Sequence, residues 1–183
     1  MKIQMNGSKL ALVLLTISTV VQGGNGEGRS SFRGDFDADK PLPVEIVVNT
    51  DNFPSPPELA NLRPFFVSVE STNSYYIDQS TLALGDDEIV RYVLVIETAG
   101  GVRNVSYEGI RCQKRAWKLY AIGRPDGSWV KPSVSDWRAI NNTPTYRHHA
   151  ALTRDFFCTN GGVIRSTEEA KKALGRGKHP DAN

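Results

Sequence analysis

Two adjacent histidines, His148 and His149, are the residues of this 183-residue chain whose type first suggests chemistry, as metal ligands or as a general base. Neighbouring side chains point about 100° apart on a helix and oppositely on a strand, so the pair cannot grip one ion without an unusual backbone. The only other histidine, His179, lies in the C-terminal tail, and no His-Glu-x-x-His spacing occurs. A hydrogen-bonded structural role is expected for the pair, and no metal. A nucleophile is equally hard to nominate, because there is no Gly-x-Ser-x-Gly elbow and no closely spaced carboxylate pair on a strand. Asp86-Asp87-Glu88 reads as a solvated charged turn without the spaced oxygen ligands of a calcium loop. No catalytic residue and no cofactor is expected.

Binding chemistry has more to work with. Arg111, Trp117, Tyr120, Arg124, Trp129, Trp137, Tyr146 and Arg147 concentrate aromatic rings and guanidinium groups in one region, the residue types that dominate interface energies and also fill ordinary cores. Trp117 and Tyr120 are assigned to the core. Arg124, Trp129 and Arg147 are assigned to a surface groove, and with Arg111 and His148 they form the candidate binding set. The two cysteines, Cys112 and Cys158, are expected to form a disulfide, since an exported chain with an even count pairs them. Two free buried thiols are the alternative.

The elements that must position these residues follow from periodicity. Residues 44–48 are a short strand candidate, and Pro54, Pro56, Pro57 and Pro64 mark an irregular extended passage before a regular core that begins near Phe65. From there to Val130 the period is two. Residues 75–78 and 81–84 precede a turn at Gly85-Asp86-Asp87, and residues 89–98 form a strand with Val90, Tyr92, Leu94 and Ile96 on one face. Arg91 and Glu97 on its other face predict partial exposure. In residues 102–112 the apolar phase slips from Val105 and Tyr107 to Ile110 and Cys112, and a bulge at Gly109 would account for it. Residues 116–123 and 128–130 complete an antiparallel meander. Residues 148–157 then form a short helix on the sheet, with Leu152 and Phe156 on one face, and Ser166-Thr167-Glu168-Glu169 opens a second helix. The stretch after Gly175 is polar and expected to fray. The fold class is α+β, a single domain with the C-terminal helices packed on the sheet and one disulfide.

The N-terminus supplies an address. Lys2 and Lys9 precede an apolar run at residues 10–21, followed by Gly23 and Gly24, the pattern of a secretory signal peptide. The run is too short to cross a hydrocarbon core of about 30 Å. Cleavage is expected after Gly23, with Gly24 as the alternative. Residues 1–23 are thus read as signal, 24–43 as a flexible leader, 44–160 as the α+β domain, and 161–183 as a helical or frayed tail. Both cations of the signal leave with it, so the formal charge of +2 falls to zero in the mature chain. A neutral domain is a poor partner for nucleic acid. The charge is polarised, with 5 basic and 13 acidic groups in residues 24–100 against 15 and 7 in residues 101–183, and the halves are expected to pack together and offset one another.

Several blocks together carry a resemblance: Tyr75-Tyr76-Ile77-Asp78, Val90-Arg91-Tyr92, residues 104–112 with Glu108-Gly109-Ile110-Arg111-Cys112, residues 118–124, and Arg147-His148-His149-Ala150-Ala151-Leu152 running to Phe156-Phe157-Cys158. They resemble the cryptic neisserial protein (CNP-like) family of proteobacterial envelope proteins. The resemblance implies a periplasmic location in a Gram-negative bacterium and no known activity. Members are often thought to be lipoproteins, whereas no cysteine stands at the signal junction here, and a soluble, untethered protein is expected. The leading expectation is a non-enzymatic binding or structural module that meets an envelope component or partner protein. The competing one is a periplasmic hydrolase or other enzyme with Arg111, Arg124 and His148 or His149 in a cleft. A deep pocket would favour the second and a shallow patch the first.

Overall fold

The alternating stretches become an antiparallel sheet in the computed structural model, which describes residues 41–159 and 162–182. The expected signal peptide and nearly all of the expected leader lie outside the described residues. The strands are β1 (Leu62–Pro64), β2 (Ser74–Leu84), β3 (Ile89–Glu97), β4 (Arg103–Arg111), β5 (Ala116–Gly123), β6 (Trp129–Val130) and β7 (Arg138–Ala139). They follow one another in space from β1 to β6, and β7 pairs with the start of β5. The two stretches read around residues 75–84 are one strand. Its register against β3 shifts between Asp78 and Ala83, where the Thr81 hydroxyl donates to the Asp78 carbonyl and accepts from the Val93 N–H, so a side chain completes the interrupted ladder.

Both faces of the sheet are covered, which corrects three expectations. Val90, Tyr92 and Leu94 face the helices, but Val93 and Val95 on the other side are buried as well, in a second cluster with Tyr107, Tyr120 and Ala121. The phase slip in β4 therefore marks two packed faces, not a bulge at Gly109. β4 pairs with β3 without interruption from Ile89↔Arg111 to Glu97↔Arg103. The bulge sits in β5 at Tyr120, because Tyr107 opposes Ala121 while Glu108 opposes Leu119. Gly109 serves it by having no side chain, since a Cβ there would lie 2.8 Å from the Tyr120 ring and 3.0 Å from Ile89. Arg91, expected to be partly exposed, is only 7% exposed. Asp87, read as part of a solvated turn, is likewise buried and forms an ion pair with Arg91. That pairing is what permits the two charges to leave water.

The second face is covered by residues 44–58. The strand expected at 44–48 does not form. The segment has no regular structure and no strand partner, and two short 3₁₀ turns, Thr50–Asn52 and Leu59–Asn61, follow it. Val48 and Phe53 pack from it onto the second cluster. The opposite charges of the two halves do meet across the fold, in the Lys118–Glu45 and Arg147–Glu70 pairs.

The first face is covered by α1 (Arg147–Leu152), a π turn at Thr153–Phe157 and α2 (Thr167–Arg176). In the wide turn, closed by the Cys158 N–H on the Thr153 carbonyl, the adjacent Phe156 and Phe157 both reach the core. It also delivers Cys158 to Cys112 just past β4, and the two form a disulfide. Ser166 caps α2 by accepting from the Glu169 N–H, and Ala170, Ala173 and Leu174 at helical spacing enter the same core. After Gly175, where fraying was expected, most of the described residues are exposed but His179 is anchored. His179 is 3% exposed, its N–H donates to the Asp155 carbonyl and its ring pairs with Glu169. Among the described residues no helix is long and apolar enough to cross a membrane.

Candidate binding site

Lys118 and Tyr120 project from β5 onto the second face, beside the stretch of its outer edge that lies between its pairings with β7 and β6. The chain between β6 and β7 loops past this stretch and is tied down by the Ser135 hydroxyl, which donates to the Leu119 carbonyl. An open cleft of about 310 Å³ results, lined by Glu45, Val47, Lys118, Tyr120, Lys131 and Pro132 among others. Its walls mix aliphatic, aromatic and cationic groups.

Three donors, two from β5 and one from the chain just before β7, converge on one carboxylate of this cleft. Glu45 Oε1 accepts from Lys118 Nζ at 2.9 Å and from the Tyr120 hydroxyl at 3.3 Å, and Oε2 accepts from the Trp137 indole N–H at 2.8 Å. Burial acts to raise the Glu45 carboxyl, but the Lys118 and Trp137 hydrogen bonds and the ammonium charge outweigh it and hold the group below the usual carboxylate range. The Tyr120 hydroxyl is pushed up, chiefly by burial. The rings also receive cations, with Lys118 Nζ 5.5 Å from the Tyr120 centroid and the Arg111 guanidinium 5.1 Å from that of Trp137. Arg111 Nε and Nη2 are buried without a hydrogen-bond partner among the described residues. Those two N–H groups form the edge of the guanidinium that pairs side-on with a carboxylate or phosphate. The chemistry on offer is recognition of an oxyanion.

Only Arg111 of the sequence-derived candidates stands in this cluster. Trp129 is on the same face but holds the covering segment in place, with its ring against Phe53 and Tyr107 and its indole N–H donating to the Pro54 carbonyl at 2.7 Å. Arg124 is exposed in the turn between β5 and β6. Arg147 belongs to the helical side, where it donates to the Ser68 hydroxyl and pairs with Glu70. His148 is buried there too, stacked on Tyr75 with ring centres 5.6 Å apart. Glu45, Lys118 and Lys131 were missed. Lys118 and Lys131 had the charge but no pattern to mark them, and Glu45 was hidden in a segment read as a strand.

A second cluster bears chemistry but is sealed. His149 Nε2 lies 2.8 Å from Glu108 Oε2, which also accepts from the Tyr92 hydroxyl, while the Ser106 hydroxyl donates to Oε1 at 2.7 Å. Trp117 stacks on the His149 ring at 4.0 Å, and His148 lies 4.0 Å away on another side. Burial would raise the Glu108 carboxyl, yet the charge and hydrogen bond of His149 hold it below its ordinary range. Burial and the neighbouring His149 push the His148 ring down to about 4. With Glu108 at 4% and His149 at 1% exposure, this network ties α1 to the sheet. Among the described residues no group of three or more His, Cys, Asp or Glu could hold a metal ion.

No curated protein and no solved structure matches the chain. The model of the CNP1-like family matches residues 47–175, a span that holds the whole sheet, the disulfide and both helices up to the last turn of α2, and the chain belongs to that family.

Proposed function

We propose that the chain is an exported periplasmic protein of the cell envelope, a non-enzymatic binding module that takes an acidic group of an envelope component or partner protein in the cleft between Lys118 and Lys131. The observation that carries this reading is the convergence of Lys118, Tyr120 and Trp137 on a single carboxylate at the floor of an open cleft. The competing enzymatic reading needs Arg111, Arg124 and a histidine in one cleft. It has less support, since Arg124 stands exposed in a turn while both histidines are buried under α1.

Capture from periplasmic extract tests the reading. Wild-type protein is compared with a Lys118→Ala/Lys131→Ala variant and with Arg124→Ala and Trp129→Ala. Loss of the captured component in the lysine variant alone is expected. Capture that survives the lysine variant overturns this site, and loss confined to Arg124→Ala moves it to the β5–β6 turn. The address is tested by cell fractionation with mass spectrometry, which should find the protein in the periplasm beginning at residue 24.

A further inference from the structure

Residues 44–48 are bound to the sheet as a peptide is bound by a receptor. The Ile46 N–H donates to Asp87 Oδ2 at 2.8 Å, and Arg91 Nη2 donates to the Ile46 carbonyl at 3.1 Å. The buried Asp87–Arg91 pair thus satisfies both polar backbone groups of one residue, which a neighbouring strand would otherwise do. It can do so for any extended segment without proline at that position, because it reads backbone only. The residue before it is read by side chain, with Glu45 in the nest of Lys118, Tyr120 and Trp137. Three of the four aliphatic side chains contribute little, as Val44 is 89%, Ile46 50% and Val47 73% exposed, while Val48 packs on the second cluster. A segment of this kind is held mainly by a few polar contacts, and Val48 is the aliphatic side chain that its release would uncover.

We infer that the second face of the sheet is a peptide-recognition surface, occupied in cis by residues 44–48, that takes from a partner protein an extended segment with a glutamate followed by a residue offering its backbone N–H and C=O. The inference rests on the reading of the cleft proposed above and specifies its ligand. The partner's glutamate replaces Glu45 in the nest, and its next residue replaces Ile46 on Asp87 and Arg91.

The test uses a fluorescein-labelled peptide with the sequence of residues 43–49 and purified full-length protein, read by anisotropy. Removing the cis carboxylate by Glu45→Ala frees the site, so this variant is expected to bind the peptide at least about tenfold more tightly than wild type. A peptide with glutamine in place of glutamate loses the charged hydrogen bonds and should bind at least about tenfold more weakly. Ile46→Pro removes the cis N–H by an independent route and should give the same gain. Equal binding of both peptides overturns the inference, as does binding to neither variant. Loss of the folded sheet in both variants, seen by circular dichroism, also overturns it, because residues 44–48 would then be an integral layer. Failure of the peptide while Lys118→Ala/Lys131→Ala still abolishes capture refutes the peptide as ligand and leaves the acidic site standing. Capture that is unaffected by the lysine variant refutes the site itself.

Discussion

Lowering the pH should destabilise this protein through His148 before it protonates most of the carboxylates. The ring is 6% exposed, stacked on Tyr75 and against His149, and burial together with His149 brings it from the ordinary 6.5 to about 4. Between these values the unfolded chain carries an imidazolium while the folded one keeps a neutral ring, so the unfolded state binds the extra proton and stability falls as the pH falls. At about 1.4 kcal/mol per unit the loss amounts to about 3 kcal/mol by pH 4, a large share of the stability of a small domain. Glu108, held below its ordinary range, adds a loss of the same sign in stronger acid, as the pH falls through its folded value. Urea unfolding followed by tryptophan fluorescence from pH 7.5 to pH 4 measures the slope. His148→Phe keeps a ring against Tyr75 and cannot titrate, so most of the loss between pH 6.5 and pH 4 should vanish in that variant, whatever its stability at neutral pH. An unchanged slope in His148→Phe would refute the reasoning.

Three further outcomes are expected. Gly109→Ala should destabilise by about 1–3 kcal/mol, because the new methyl meets the Tyr120 ring and Ile89 inside a packed layer; a melting temperature equal to that of wild type would contradict the close approach. Removing the Cys112–Cys158 bridge, by reduction or by replacing both cysteines with alanine, should cost about 4 kcal/mol in urea unfolding, since it closes a loop with a sequence separation of 46. Asp87→Ala should cost about 3–5 kcal/mol, as it leaves the Arg91 charge buried without its partner, whereas the double variant Asp87→Ala/Arg91→Leu should recover much of the loss. Failure of the double variant to recover would show that the pair matters through Ile46 and not through its own charges.

The sheet and its helical cover were legible because they are written in local periodicity. Alternation over residues 75–130, turn residues at Gly85-Asp86-Asp87 and the cap at Ser166 each act within a few neighbours, and each appears where expected. The misreadings share one cause. Arg91, expected to be partly exposed, and Asp87, read as part of a solvated turn, became buried because residues 44–58, which have no strand or helix period, lie over that face. Lacking that layer, the phase slip in β4 was read as a bulge on the wrong strand. His179 was misread in the same way, since its burial depends on Glu169 and Asp155, which the tail meets only after folding.

Residue types and their spacing were enough to set the class of the fold, the disulfide between Cys112 and Cys158 and the core placement of Trp117 and Tyr120. Membership of the CNP1-like family was also legible, in blocks such as Glu108-Gly109-Ile110-Arg111-Cys112. Which charges meet was settled by the folded arrangement alone. The nest around Glu45 draws on Lys118, Tyr120 and Trp137, positions that no local pattern relates to residue 45. Hydrogen bonds act over about 3 Å in space and not along the chain, so their partners emerge when a bulge at Tyr120, a glycine at 109 and an unpaired segment are brought onto one face.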